Sequence, residues 1–566
     1  MSIPSDLDIA RASTVRPINE ITQSMGLPEH LWEPYGREIG KVSLDAIEDL
    51  ADRPPAKYIL VTAITPTPLG EGKTTTSIGL AQGFGHIGKR ATLALRQPSM
   101  GPTFGIKGGA AGGGYSQVIP MEKLNLHLTG DFHAITAAHN LLAAVLDNHL
   151  YQGNELGVDM HSIEWRRVLD VNDRALRNVI IGLGTRLDGV PRQTGFDITA
   201  ASELMVLLAL ATSEKDLRDR VGKIVVGYTK AGEPVTAEDL KVAGSMAVIL
   251  RDALRPNVLQ TIEGQPALIH TGPFGNIATG QSSIVADLIG IKTGDYLITE
   301  AGFGADIGAE KFFDMKCRMS GLQPSAAVVV ATVRALKAHS GRHSIKPGKP
   351  LPPELLAENP DEVAIGGANL RKHLENLKKF GVTPVVAINA FPTDHDSEHE
   401  VIKKIAEEAG ARSAVATHVV DGGAGAVDLA RVVEEVANEP NDFRFLYPLE
   451  ETIEKKIETI ATELYGATGA SFTPAAAKQA KRYQELGYGH LPIVIAKTHL
   501  SITSDASLLG APENWGPLPV RELRLAAGAG YIYAVCGDIR TMPGLSSHPA
   551  AERIDIDADG NIVGLS

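Results

Sequence analysis

The chain has 566 residues, 43% hydrophobic and 21% charged; this soluble globular composition excludes wholesale disorder and, at ~100–200 residues per domain, predicts about three domains. Lys plus Arg number 54 against 67 Asp plus Glu, and the resulting net charge of −13 argues against a general affinity for nucleic-acid backbones or anionic lipid. Two cysteines, Cys317 and Cys536, make neither a disulfide framework nor a metal-ligand spacing, and no apolar run approaches the ~20 residues of a membrane helix.

The first residues, MSIPSDLDIARAST, carry no basic n-region and no apolar h-region, which predicts a cytoplasmic protein. Short β-branched runs then recur at 58–64, 91–95, 224–228, 267–270, 296–299, 326–331, 384–389, 414–420, 491–496 and 531–535. Most are continuously apolar, the pattern of strands buried on both faces of a parallel sheet. Helical periodicity covers 74–87, 368–380, 398–409 and 427–437, and Gly88, Gly381 and Gly410 stand where C-terminal glycine caps belong. Alternating strand and helix signals predict an α/β fold.

The first chemistry-bearing segment is LVTAITPTPLGEGKTTTSIGLAQGF, residues 60–84. An apolar strand, a Pro- and Gly-rich loop and an amphipathic helix in that order make Gly72–Lys73–Thr74 a P-loop signal. Thr67, Pro68, Leu69, Gly70, Glu71, Gly72, Lys73 and Thr74 are the candidate ATP loop, with Thr67 where the motif usually has its first Gly. Backbone N–H groups of 70–74 would surround the β-phosphate, Lys73 would reach the β- and γ-phosphates, and the Thr74 hydroxyl would ligate Mg²⁺.

Next, a strand ends in Arg96, well placed to hold a phosphate or carboxylate, and the loop beyond it carries Lys107 among six glycines. Asp131, in LNLHLTGDFHAI, is the candidate carboxylate for Mg²⁺; His127 and His133 beside it rank low. The 58 glycines, about one residue in ten against ~7% on average, cluster after apolar runs, as in HTGPFGNIATGQSS (270–283) and TEAGFGADIGAEKFFDMKC (299–317). Both loops would lie at strand carboxyl ends, where open α/β sheets bind ligands. The expected architecture is therefore a P-loop NTPase-like, mostly parallel sheet with helices on both faces, plus smaller α/β domains. Residues 1–105 and 270–380 would form the discontinuous nucleotide-binding domain, 106–269 a mostly helical insertion, and 381–566 a C-terminal α/β domain.

Two weaker patterns are set aside. DIDADGNIVGLS (555–566) opens like a calcium loop but has Ser566 where a bidentate Glu is needed, so a hairpin with an Asp-Gly turn is expected. TDHDSEHE (393–400) spaces His395 and His399 four apart, yet reads better as the acidic first turn of a helix than as a metal site.

Taken together, TPTPLGEGKTTT, GIKGGAAGGGY (105–115), GFDIT (195–199), GPFGNIATG, EAGFGADIGAEKF, VATVRALKAHSG (330–341), VAINAFPTD (386–394) and TMPGLSSHPAAERIDID (541–557) make the chain resemble the formate–tetrahydrofolate ligases from about residue 15 onward. The resemblance implies ATP-dependent formylation of tetrahydrofolate at N10 through formyl phosphate, with formate, ATP, Mg²⁺ and tetrahydrofolate as the small-molecule set. The resemblance also adds a monovalent cation to that set and implies a homotetramer as the assembly. It also implies that Lys73 and Arg96 hold the transferring phosphoryl group, and that Phe391 and Pro392, with Lys107, belong to the folate site. Two positions depart from the family pattern: Gln97 follows Arg96 where Glu is common, and Val419 stands where a Trp often precedes the second glycine-rich segment. Loss of one stacking ring is worth of order 1 kcal/mol, so Val419→Trp is expected to lower the folate KM severalfold without changing the chemistry; an unchanged or higher KM would contradict this. On residues alone, a P-loop switch ATPase and a ligase for another small carboxylate remain alternatives, although the Cys pairs and basic runs that switch ATPases present to partners are missing here.

Overall fold

The computed structural model describes residues 4–68, 70–105, 111–343, 345 and 351–565. Its centre is a 12-stranded sheet. The strands are β1 (Trp32–Pro34), β2 (Gly40–Val42), β3 (Lys57–Ala63), β4 (Ala91–Leu95), β5 (Gly112–Gly113), β6 (Ser116–Ile119), β7 (Asn257–Thr261), β8 (Pro266–Ile269), β9 (Tyr296–Glu300), β10 (Ala326–Ala331), β11 (Pro384–Asn389) and β12 (Arg412–Ala416). They lie in the order β1-β2-β7-β8-β4-β9-β3-β10-β11-β12, with β6 paired to β7 and β5 to β6 beside that path. From β8 to β12 every neighbouring pair is parallel. Every residue of β4, β9, β10 and β11 is buried, which is why these strands are mostly apolar rather than alternating, with the polar Glu300 and Asn389 at the ends of β9 and β11.

Helices cover both faces. Alternate residues of β3 divide between two cores: Ile59 and Val61 join Ile78 and Phe84 of α1 (Lys73–His86), whereas Tyr58 and Leu60 join Phe312 and Leu374. The remaining helices used below are α2 (Asp131–Tyr151), α3 (Val333–His339), α4 (Pro360–Lys379), α5 (Asp396–Glu408) and α6 (Val427–Ala437). Gly88, Gly381 and Gly410, just beyond α1, α4 and α5, have φ of 75°, 73° and 63°, the left-handed region that closes a helix. The fold is thus the α/β architecture that the alternating patterns predict.

The sheet crosses both expected domain boundaries. The stretch expected as a helical insertion does contain α2 and the helices Glu203–Leu210, Glu214–Gly222 and Ala243–Leu250, but it ends in β7 and β8, which complete the central sheet. Likewise β11 and β12, assigned above to a domain starting at 381, continue the parallel ladder from β10. Pairing partners distant in sequence decide this, and periodicity within a segment carries no record of them. A separate three-stranded sheet, Ile493–Ala496, Tyr531–Val535 and Glu522–Ala526, does form in the C-terminal third.

One apolar run stops short. The strand expected over 414–420 ends at Ala416, because the Val419 carbonyl accepts the Tyr115 N–H at 2.9 Å and the chain then packs against α1. Gly79 permits that approach: a Cβ there would sit 2.6 Å from the His418 side chain. The C-terminal pair Asp555–Ile556 and Ile562–Val563 forms the expected antiparallel hairpin. The 393–400 cluster becomes the start of α5, where Glu398 closes a capping box with His395. Among the described residues no helix is long and apolar enough to cross a membrane.

Candidate functional site

Between the end of β3 and the start of α1 the chain is shaped from outside as well as by its own glycines. Gly70 and Gly72 have φ of 75° and 79°. A Cβ on Gly72 would fall 2.5 Å from Asn389 Nδ2, so both conformation and space require glycine there. Asn389, the last residue of β11, donates from Nδ2 to the Glu71 carbonyl at 3.1 Å. Glu71 itself is buried and turned inward, its Oε1 accepting the Thr67 N–H at 2.7 Å and the Thr67 hydroxyl at 3.0 Å. Thr65, leading into the loop, donates its N–H to Asn369 Oδ1 at 3.0 Å and meets His373 Nε2 at 2.9 Å through its hydroxyl. Burial pushes the His373 imidazole down to about 4, so at neutral pH it is an uncharged hydrogen-bonding partner. Pro68 is exposed, and Leu69 lies outside the described residues.

Beside this loop stands a carboxylate that sequence reasoning missed. Glu300, the last residue of β9, accepts the Thr74 hydroxyl at 2.6 Å and lies 3.4 Å from Arg96 Nη2, while Arg96 Nη1 is 3.4 Å from the Pro273 carbonyl. The strand order β4-β9-β3 explains the grouping: three neighbouring parallel strands deliver Arg96, Glu300 and the P-loop to one edge. Glu300 is 2% exposed, and the buried Arg96 Nε has no acceptor among the described residues. A hydroxyl and carboxylate side by side form a hard-oxygen pair suited to Mg²⁺, and an unsatisfied guanidinium donor is suited to an oxyanion. A signal for Glu300 was present: it opens EAGFGADIG directly after an apolar strand, the same position relative to β9 that Arg96 holds relative to β4.

The other glycine-rich loops meet at the same edge. The Gly302 N–H donates to the Gly280 carbonyl at 2.8 Å, and the Gln97 N–H to the Thr271 carbonyl at 2.6 Å. Thr271 and Phe303 hold φ of 52° and 62°, a left-handed conformation costing about 1–2 kcal/mol for residues with a Cβ, of the kind that gathers at functional sites. The Phe303 ring stacks on His499 at 4.4 Å. Buried cations secure the following turns: Lys311 Nζ donates to the Gly275 carbonyl at 2.7 Å, and Lys497 pairs with Asp306 at 2.8 Å. Burial drives both ammonium groups below their ordinary values.

Asp131 is placed differently from the expectation. It starts α2, and its carboxylate receives Lys41 Nζ at 2.9 and 3.1 Å and Asn257 Nδ2 at 2.8 Å. Lys41 and Asp131 are 1% and 3% exposed, so the pair is a buried structural bridge. Asn257 belongs to β7, four strands from β3 and hence about 19 Å away at ~4.8 Å per strand. The carboxylate that touches Thr74 is Glu300.

Phe391 and Pro392 follow β11 at the same edge of the sheet, Phe391 half-buried and Pro392 exposed. The Phe391 N–H donates to Asp394 Oδ2 at 2.9 Å, and the Arg334 guanidinium lies 3.3 Å from the Phe391 ring centroid. Val419 follows the neighbouring strand β12, partly exposed. Lys107 lies outside the described residues. A cavity of about 480 Å³, bounded by Glu164, Arg166, Glu203, Arg524 and Tyr533, has no P-loop residue in its wall. Two of its arginines pair with carboxylates of the same wall, Arg166 with Asp197 and Arg524 with Glu522.

Comparison with known proteins agrees with the motifs. Residues 4–566 match the family model described as formate–tetrahydrofolate ligase. The chain is 65% identical over 566 residues to a formate–tetrahydrofolate ligase of Saccharopolyspora erythraea, covering 100% of both chains. It is 64% identical to one of Cutibacterium acnes, over 99% of this chain and 100% of that protein. A relative of the same name in Chloroflexus aurantiacus is 55% identical, again over 99% of this chain and 100% of the relative.

Proposed function

We propose that this chain, which belongs to the formate–tetrahydrofolate ligase family, is a ligase that joins formate to tetrahydrofolate using ATP, giving 10-formyltetrahydrofolate, ADP and phosphate through formyl phosphate. The observation that carries this reading is the meeting of P-loop, Glu300 and Arg96 at the ends of three adjacent parallel strands.

Formate is a poor acylating agent because its charge is spread over two oxygens and it has no leaving group. Attack by one formate oxygen on the γ-phosphorus forms an O–P bond and breaks the bond to the bridging oxygen, so ADP departs. The formyl carbon of the mixed anhydride then accepts the N10 lone pair, phosphate leaves with the electron pair of the C–O bond, and N10 loses its proton. In the first step, backbone N–H groups of residues 70–74 and the α1 N-terminus hold the β-phosphate, Lys73 follows the transferring phosphoryl group, and Arg96 holds formate and then formyl phosphate. Thr74 and Glu300, in place of Asp131, would hold Mg²⁺, which when bound neutralises phosphate charge. Thr67 and Glu71 act from within the loop, keeping its shape rather than touching phosphate. Because formyl phosphate hydrolyses readily, the interlocked loops around Gly280, Gly302 and Thr271 serve to exclude water.

Phe391 and Pro392, with Lys107, supply the pterin side of the site, Phe391 offering an aromatic ring and Val419 standing where the family often has a second. The same reading makes the protein a cytoplasmic homotetramer. Support for subunit contact comes from the antiparallel pair Val179–Ile181 and Arg192–Thr194, around which Ile180, Leu183 and Leu187 are 61%, 66% and 85% exposed.

Oxygen tracing tests the route. With ¹⁸O-labelled formate, each phosphate released should carry one labelled oxygen from formate. Unlabelled phosphate would overturn the formyl phosphate step, and phosphate release without formate or folate would favour a switch ATPase.

A further inference from the structure

Three arginines lie face-on to aromatic rings at under 4 Å: Arg318 over Phe445 at 3.9 Å, Arg482 over Tyr228 at 3.6 Å and Arg334 over Phe391 at 3.3 Å. The first two are anchored by hydrogen bonds, Arg318 to Asp314 and the Tyr447 carbonyl, Arg482 to the Gly232 carbonyl. Arg334 has neither a hydrogen bond nor an ion pair among the described residues, although it is half-buried. Burial lowers its affinity for its proton, and the Asp394 charge opposes this. Among the described residues the ring face is thus the polar partner that this guanidinium has.

Its placement is built in by the fold. β10 lies between the P-loop strand β3 and β11, which leads to Phe391. Thr332, just after β10, caps α3 by accepting the Ala335 N–H at 3.1 Å, and Arg334 is the second residue of that helix. On the other side the Phe391 backbone is held in a turn, with the Asp394 N–H donating to the Phe391 carbonyl and the Phe391 N–H to the Asp394 side chain, both at 2.9 Å. One face of the ring is thus covered by a cation and only the other can receive a planar ligand.

We infer that Arg334 is a positioning residue for folate: stacked on the hidden face of Phe391, it fixes the ring and draws electron density from it, so that the open face prefers the electron-rich tetrahydropterin. The reduced ring carries two amine nitrogens that feed density into its pyrimidine half, whereas the oxidised pterin of folic acid does not. A cation on one face makes the other less negative, and that favours the richer partner. Selectivity for reduced folate would then originate one layer behind the residue that touches it. This rests on the reading of Phe391 as the pterin platform.

The test compares Arg334→Met, Arg334→Lys and Phe391→Ala with the parent for KM of tetrahydrofolate, ATP and formate, and for inhibition by folic acid. Arg334→Met is expected to raise the tetrahydrofolate KM about fivefold or more, to leave the ATP and formate KM within about twofold, and to abolish the preference for tetrahydrofolate over folic acid, with partial recovery in Arg334→Lys. Equal weakening of both folates would reduce Arg334 to a structural prop and overturn the inference. So would a change confined to the ATP or formate KM, which would make it a phosphate-binding arginine. If Phe391→Ala leaves the folate KM unchanged, the platform reading fails and the inference with it; if Phe391→Ala raises that KM and Arg334→Met does not, the inference alone fails.

Discussion

Glu300→Gln should lower kcat by at least about a hundredfold and raise the Mg²⁺ concentration needed for half-maximal rate, without loss of the folded state. Among the described residues Glu300 is the carboxylate that touches both Thr74 and Arg96, accepting the Thr74 hydroxyl at 2.6 Å and facing Arg96 Nη2 at 3.4 Å. Glutamine keeps the shape but removes the charge and turns one of those two acceptors into an N–H donor. If the amide nitrogen faces Arg96, two donors oppose one another; if it faces Thr74, the hydroxyl loses the partner that aims it. Either way Arg96, whose side chain is partly exposed, loses the buried carboxylate that faces it and with it the charge that fixes its guanidinium for an oxyanion. Asp131→Asn is the informative contrast. Its carboxylate is engaged with Lys41 and Asn257, so the loss should appear as a lower Tm, with the Mg²⁺ dependence of the remaining activity unchanged. Parental kcat and Mg²⁺ dependence in Glu300→Gln, measured by initial rates over a metal titration, would remove Glu300 from the site.

The contrast between these two acids shows how far the sequence could be read. Both are acidic residues behind apolar runs, and sequence proximity favoured Asp131. Only the strand order separates them: Glu300 ends the strand that lies between β3 and β4, whereas Asp131 belongs with β7, four strands from β3. Local patterns sufficed where burial is repeated along an element. Ala91–Leu95, Ala326–Ala331 and Pro384–Asn389 are strands with the boundaries that their apolar runs suggest, and Val427–Ala437 is the helix its periodicity suggests. Local patterns failed where a distant contact overrides them. The run through Val420 leaves the sheet after Ala416 because Tyr115, some 300 residues earlier, takes the Val419 carbonyl. α4 begins at Pro360, eight residues before the expected helix at 368–380, because Asn359 caps it and proline is well tolerated at N1. The props of the P-loop, Asn389 and Asn369, were invisible for a similar reason: an asparagine at a strand end or on a helix face has no distinguishing pattern until the element that it reaches is known.

Lys73, the first residue of α1, stands where the loop held by Glu71 and Asn389 opens onto the edge shared with Glu300 and Arg96. A cation there has most to offer as the γ-phosphoryl group moves from ADP to formate, when negative charge is spread over its oxygens and the attacking atom. Removing such a group from a preorganised, low-dielectric site costs about 2.7–4 kcal/mol of transition-state stabilisation, or about a hundred- to a thousandfold in rate. The decisive measurement is the rate of 10-formyltetrahydrofolate formation by Lys73→Ala at saturating formate, tetrahydrofolate and ATP, on protein whose Tm confirms that it is folded. A rate at least about a hundredfold below the parent is predicted, whereas formation at the parental rate would contradict the assignment of this loop as the place where formate is activated.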